Sequence, residues 1–84
     1  MREIRDQLDL AQIQAARRGF ILNLRHVPKL HRAYCDSVGG MKANEYQKIW
    51  FETETYGQVR AWAEQTIGES KLAAWTHCGK CVPN

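Results

Sequence analysis

Two prolines and six glycines in 84 residues are too few for a collagen-like or low-complexity chain. No apolar stretch approaches the roughly 18–20 residues that cross a bilayer. Phe20-Ile21-Leu22, for instance, is followed at once by Asn23. The opening residues include Glu3 and Asp6 and lead into no apolar core region, so no secretory signal is expected and the cytoplasm is the expected location. There is no internal repeat. A glycine-rich phosphate loop, a nucleophile elbow and an H-E-x-x-H pair are also missing, which removes the catalytic devices most readily read from sequence. Glu52 and Glu54 lie two apart and would diverge on a helix, so they make no acid–base pair. A non-catalytic role is the expectation.

Cysteine is scarce and odd in number: Cys35, Cys78 and Cys81. An odd count argues against a closed disulfide framework. In a reducing compartment it leaves a metal site, a redox pair or inert thiols. Excess charge is scarce as well, at a formal +3. Its distribution says more than its size. Residues 1–35 carry seven basic side chains against three acidic ones, and residues 36–84 carry five against six. This asymmetry permits an anionic partner without requiring one.

What the chain does have is an ordinary globular composition, 44% hydrophobic and 25% charged. Its length fits one domain, residues 1–84. A chain this short buries only roughly 60% of its unfolded surface. Such a core usually needs a disulfide, a metal or a partner subunit to supplement it.

Helical spacing dominates the pattern. Ile4, Leu8, Ala11 and Ala15 predict a first helix over 3–18, with Gly19 as its left-handed stop. Residues 20–27 fit either an alternating strand or a buried helical turn. Pro28 suits the first turn of a second helix over 28–38, with Leu30, Tyr34 and Val38 on one stripe. Tyr46, Ile49, Trp50 and Thr53 favour a helix over 44–54, although Thr and aromatic residues around 51–56 also fit a strand. Thr55 and Gln58 match a capping box for a helix over 56–67 that buries Val59, Trp62, Ala63 and Ile67. Gly68 stops it, and Ser70 can cap a short helix near 71–75. The expected fold class is therefore mainly α: a bundle of four to five short helices, with room for one short strand, tethered by a structural zinc site.

The zinc expectation rests on two pairs. His31-x-x-x-Cys35, placed on a helix, would project both side chains from one face. Cys78-Gly79-Lys80-Cys81 has the two-residue gap that lets a turn aim two sulfurs at one ion, and Gly79 gives that turn freedom. Together they make Cys3His, a closed structural zinc set that uses every cysteine. His26 and His77 are the substitutes for His31; His77 adjoins Cys78, where joint ligation is awkward. The competing reading makes Cys35 a small buried hydrophobe and Cys78–Cys81 a loose pair. A thioredoxin-like redox role fits poorly, because no helix follows the C-x-x-C.

Two surfaces are candidates for binding. Arg18, Arg25, Lys29 and Arg32, with Arg17 and His26 beside them, would form a basic stripe on a continuous helix, suited to phosphates; Gly19 and Pro28 break such a helix, and a solvated face is the reading favoured over it. Trp50, Trp62 and Trp75 are many large rings for a short chain, and any left at the surface would anchor a protein partner. Most such rings serve as core. Residues 58–75 resemble a helix-turn-helix in outline, but the second helix offers one cation, Lys71, and an ordinary helix corner explains it as well. The functional expectation is a small regulatory binding module, a protein-binding inhibitor or adaptor, with a nucleic-acid-binding regulator as the alternative. No membrane partner is expected, and self-association is compatible with either reading.

Overall fold

A sheet organises the chain. The computed structural model describes residues 1–25 and 28–68 and the strand Thr76–His77. In chain order the elements are β1 (Arg2–Glu3), α1 (Gln7–Ala16), β2 (Phe20–Asn23), β3 (Lys29–Arg32), α2 (Asp36–Gly39), β4 (Lys48–Phe51), α3 (Tyr56–Thr66) and β5 (Thr76–His77). The strands lie in the order β1-β4-β2-β3-β5. The first four pair antiparallel, and β5 adds to β3 in parallel. The fold is therefore α+β, and the mainly helical bundle expected from the periodicity is corrected.

The reason lies in what covers the sheet. On one face Ile21 and Trp50 pack with Leu10 and Ile13 of α1 and Val38 of α2. On the other, Leu22, Leu30, Ile49 and Phe51 pack with Val59 and Ala63 of α3. Because both faces are covered, the central strands lose the apolar–polar alternation that marks a half-exposed strand. Ile21 and Leu22 are adjacent and both fully buried, and every residue of β4 is buried. A continuous apolar run such as Ile49-Trp50-Phe51 is what a short buried helical turn also shows, and this ambiguity is why 44–54 fits a helix in sequence. At 20–27 the strand alternative prevails over the helical turn for Phe20–Asn23.

The other differences are local. The helix expected over 3–18 starts only at Gln7, capped by the Asp6 carboxylate, which accepts from the Asp9 N–H. Its buried face is Asp9, Leu10 and Ile13, while Leu8, Ala11 and Ala15 are exposed. The helix expected over 28–38 is strand β3 followed by the single turn of α2. Pro28 stands just before the strand, where its missing N–H costs no ladder bond. Residues 56–66 form the expected helix, and the Thr55–Gln58 capping box is complete in both directions. The helix expected near 71–75 lies outside the described residues.

Buried polar groups fix the layers. Arg2 grips Asp9 through two charge-assisted hydrogen bonds of 2.6 and 2.7 Å, and its guanidinium lies 5.3 Å from the Trp50 ring centre. Asp9 also accepts from the Arg5 N–H. The pair ties β1 to α1. Lys48, only 1% exposed, donates to the carbonyls of Lys42 and Tyr46 at 2.8 and 2.9 Å and closes the loop before β4. Burial pushes the Lys48 pKa down. The Trp50 indole N–H donates to the Arg18 carbonyl at 2.9 Å.

Gly19 permits the closest approach in this layer. Its φ is +72°, and a Cβ there would overlap the Phe51 carbonyl oxygen of β4 and come within 2.8 Å of the Glu52 carbonyl oxygen. Gly19→Ala should therefore cost about 3 kcal/mol or more, the sum of left-handed strain and backbone displacement. Urea unfolding measures this, and a wild-type midpoint in the variant would contradict the contact.

A second prediction concerns acid. The Arg2 hydrogen bonds, helped by the Arg5 N–H, hold the Asp9 pKa at about 2, below its ordinary value of 3.8. A depressed carboxylate pKa stabilises the fold above the unfolded value and loses that contribution as pH falls through the folded value. Stability should drop by about 2 kcal/mol between pH 4 and pH 2 from this group. Asp9→Asn should remove that part of the slope in chemical denaturation measured across the same range.

Candidate functional site

The α1–β2 connection builds an arginine-rich edge. α1 ends at Arg17 in the left-handed conformation, φ 58°, with its N–H bonded to the Gln14 and Ile13 carbonyls. This turns the chain sharply into β2. The Ala33 N–H donates to the Gly19 carbonyl, and Phe20 pairs with Arg32, so residues 17–20 run alongside 32–34. The Arg17 guanidinium lies 5.1 Å from the centre of the Tyr34 ring. That of Arg32 lies 5.7 Å from the centre of Phe20. Both distances fall in the range of cation–π attraction. Arg18 has its backbone held by Trp50 while its side chain stays exposed, 3.5 Å from the Glu52 carboxylate. Tyr34 is 41% exposed, a large ring at the surface with a guanidinium against it.

The basic residues expected to form one stripe are divided. Arg17, Arg18 and Arg32 share this end of the β2–β3 hairpin. Arg25 and Lys29 lie at the other end, where Asn23 pairs with Lys29, three residue pairs along the ladder from Phe20–Arg32. Lys29 and Arg32 also lie an odd number of residues apart on β3 and so leave the sheet on opposite faces. A single helical stripe does not form, because the segment that would carry it is a hairpin.

Trp50 and Trp62 behave differently from surface anchors. Trp50 is 9% exposed and belongs to the core. Trp62 packs edge-on against Phe51, with ring centres 5.3 Å apart. Trp75 lies outside the described residues. Among the described residues the exposed large rings are instead Tyr34 and Tyr46. Helical spacing had placed Tyr34 on an inward stripe. Once β3 is a strand the residue falls in the turn beyond it, and no pattern in the sequence marks that change.

Of the four expected metal ligands, two are described. His31 stands on β3, 3% exposed, paired with Ile21 across the ladder. Cys35 is buried in the turn before α2, in the cluster that contains Ile21, Ala33 and Val38. They come from a strand and a turn, not from one helix face. Cys78, Cys81 and the substitute His26 lie outside the described residues, and His77 contributes its backbone to β5. Among the described residues no three His, Cys, Asp or Glu side chains gather as a metal would need. The His31 Nδ1 is buried without a hydrogen-bond partner. Burial, with Lys29 and Arg25 adding to it, pushes the His31 pKa down to about 4, so the imidazole is neutral at pH 7.

Two cavities are lined by described residues. One, of about 350 Å³, is lined by Leu24, Arg25, Pro28, Gln47, Thr66 and Ile67. The other, of about 290 Å³, is lined by Arg5, Asp6, Gln7, Ala43 and Asn44. Neither lining pairs a nucleophile with a general base. No helix among the described residues is long and apolar enough to cross a membrane. No family model, curated protein or solved structure matches the chain.

Proposed function

We propose that the chain is a non-catalytic binding module, acting as an inhibitor or adaptor in the cytoplasm, that docks another protein against the Arg17–Tyr34 end of its sheet. The observation that carries this reading is the pair of guanidiniums stacked on aromatic rings, one ring of which is exposed. Arginine and tyrosine dominate protein-interface hot spots. Stacking holds the arginine side chains near one geometry, which lowers the rotamer entropy lost on binding. The exposed Arg18 adds a cation that an acidic side chain of the partner can reach.

Nucleic acid is the weaker alternative. Its support is the basic excess of residues 1–35. A phosphate track wants a continuous run of cations. Here Arg25 and Lys29 are separated from the other three, and Glu52 sits within the arginine cluster. Mixed charge beside aromatic rings suits a protein surface better than a polyphosphate.

A photo-crosslinking amino acid at Tyr34, in the cells that make the protein, should capture one dominant partner. The same probe at Tyr46, exposed near the opposite end of the sheet, should not capture it. With that partner purified, Arg17→Ala and Tyr34→Ala should each weaken binding about 10-fold or more, with affinity surviving moderate salt. Equal capture at both positions, or unchanged affinity in both variants, would reject the surface. Affinity for mixed-sequence nucleic acid that collapses steeply with salt would transfer the reading to the alternative.

A further inference from the structure

We propose that the outward face of α1 is a self-association surface, on which a second copy of this chain packs its own α1 antiparallel. The inference goes beyond the docking surface at Tyr34 and meets it only at Arg17.

Helices α1 and α3 meet solvent in opposite ways. α3 presents Arg60 and Glu64, an exposed i,i+4 ion pair at 3.5 Å, as a solvated helix face does. α1 has one charged residue between Gln7 and Ala16, and that residue, Asp9, is buried against Arg2. The outward face of α1 consists of Leu8, Ala11, Gln12 and Ala15, all exposed. Leu8, at 67%, is the most exposed large apolar side chain among the described residues. Leu10 and Ile13 fill the core from the opposite side. A helix that is apolar on both sides is normally covered on both sides. The sheet covers one side of α1. The other carries Leu8, Ala11 and Ala15 at i, i+3 and i+7, the spacing of a helix–helix contact.

Charge selects the occupant. The two residues that cap α1 are exposed and opposite in sign, Asp6 at its start and Arg17 at its end. Of the neighbouring cations, Arg18 is drawn to Glu52, and Arg5 borders the cavity beside Ala43 and Asn44. The midpoint of α1 falls between Ala11 and Gln12. Asp6 and Arg17 lie equally far from it, and so do Leu8 and Ala15. An antiparallel copy centred there sets each Asp6 against the other's Arg17 and each Leu8 over the other's Ala15. A parallel copy would bring Asp6 to Asp6 and Arg17 to Arg17, with the helix dipoles aligned. Ala11 at the crossing lets the helix axes approach to about 8 Å. The arrangement obeys a two-fold axis, so one patch serves both copies. Two helices of this length bury less than the roughly 1,200 Å² at which stable interfaces begin, so the dimer is weak and grows with concentration.

Sedimentation equilibrium of the full-length chain under reducing conditions, from about 1 µM to 1 mM, should show monomer passing to dimer. Leu8→Glu should weaken the dimer about 10-fold or more, and Leu8→Met should preserve it. Glu in the first helical turn suits the dipole, so Leu8→Glu should keep the wild-type urea midpoint. In a mixture of isotope-labelled and unlabelled chains, intermolecular NOEs should join the Leu8 methyls to the Ala15 methyl of the other copy. A chain that stays monomeric at the highest concentration would overturn the proposal. So would a dimer indifferent to Leu8→Glu, a dimer whose NOEs join Leu8 to Leu8, or NOEs to Leu8 that arise from another segment of the same chain. Tyr34→Ala should leave the dimer unchanged, and Leu8→Glu should leave docking at Tyr34 unchanged, so the two surfaces fail separately.

Discussion

Everything in this fold depends on the β2–β4 pair being buried from both sides. Ile21 faces α1 and Leu22 faces α3, and neither is exposed to solvent. A chain of this length has few residues with which to build two apolar layers. It does so by placing its central strands between helices, so that each strand residue contributes to one core or the other. The close passage of Gly19 over Phe51 follows from that economy, as does the anchoring of the Arg18 carbonyl by the Trp50 indole. The arginine edge is a by-product of the same geometry. The sharp left-handed turn at Arg17 is what carries the chain from the helix layer into the sheet, and it leaves Arg17 and Arg18 at the rim.

Polar groups caught in this arrangement divide into two kinds. Asp9 and Lys48 are buried with partners arranged around them: a guanidinium and a backbone N–H for the carboxylate, two carbonyls for the ammonium. Each ties a loop or an edge strand to the core. His31 and Asn23 are the second kind. They lie on the same sheet face, diagonal across the β2–β3 ladder, and the His31 Nδ1 and Asn23 Oδ1 atoms make no hydrogen bond. Stabilising polar contacts thus concentrate at β1, α1 and the loop before β4. Of the buried atoms without a partner among the described residues, two lie on β2 and β3, and the third, Glu54 Oε2, lies in the connection between β4 and α3.

The sequence was most legible where a signal was local. The Thr55–Gln58 capping box needs only four residues, and α3 starts where it says. Gly68, at φ +95°, follows that helix as expected. Legibility failed where burial depended on a partner layer. The period of Ile4, Leu8, Ala11 and Ala15 is genuine, yet three of the four face solvent, because β1 and the Asp9 ion pair rotate α1 to present Leu10 and Ile13. Ile49-Trp50-Phe51 is equally apolar under either reading. Only the presence of a helix on each side makes it a strand, and no residue within the run encodes that. The candidate site shares this division. His31 and Cys35 were visible as residue types, whereas the exposure of Tyr34 and the splitting of the basic set follow from the hairpin.

The hairpin also explains how one short segment can serve two purposes. Residues 31–35 alternate as strand residues do and then turn. His31 leaves the sheet on the α1 side, Arg32 on the α3 side against Phe20, and Tyr34 emerges at the rim before Cys35 returns to the core. On a helix, His31 and Cys35 would have shared a face, while Arg32 and Tyr34 would have projected in other directions. On a strand followed by a turn, the inward and outward residues are interleaved within about 15 Å of chain. Burial of His31 and Cys35 therefore also holds the backbone that presents Arg32 and Tyr34. The packed core lies directly beneath the surface this segment presents.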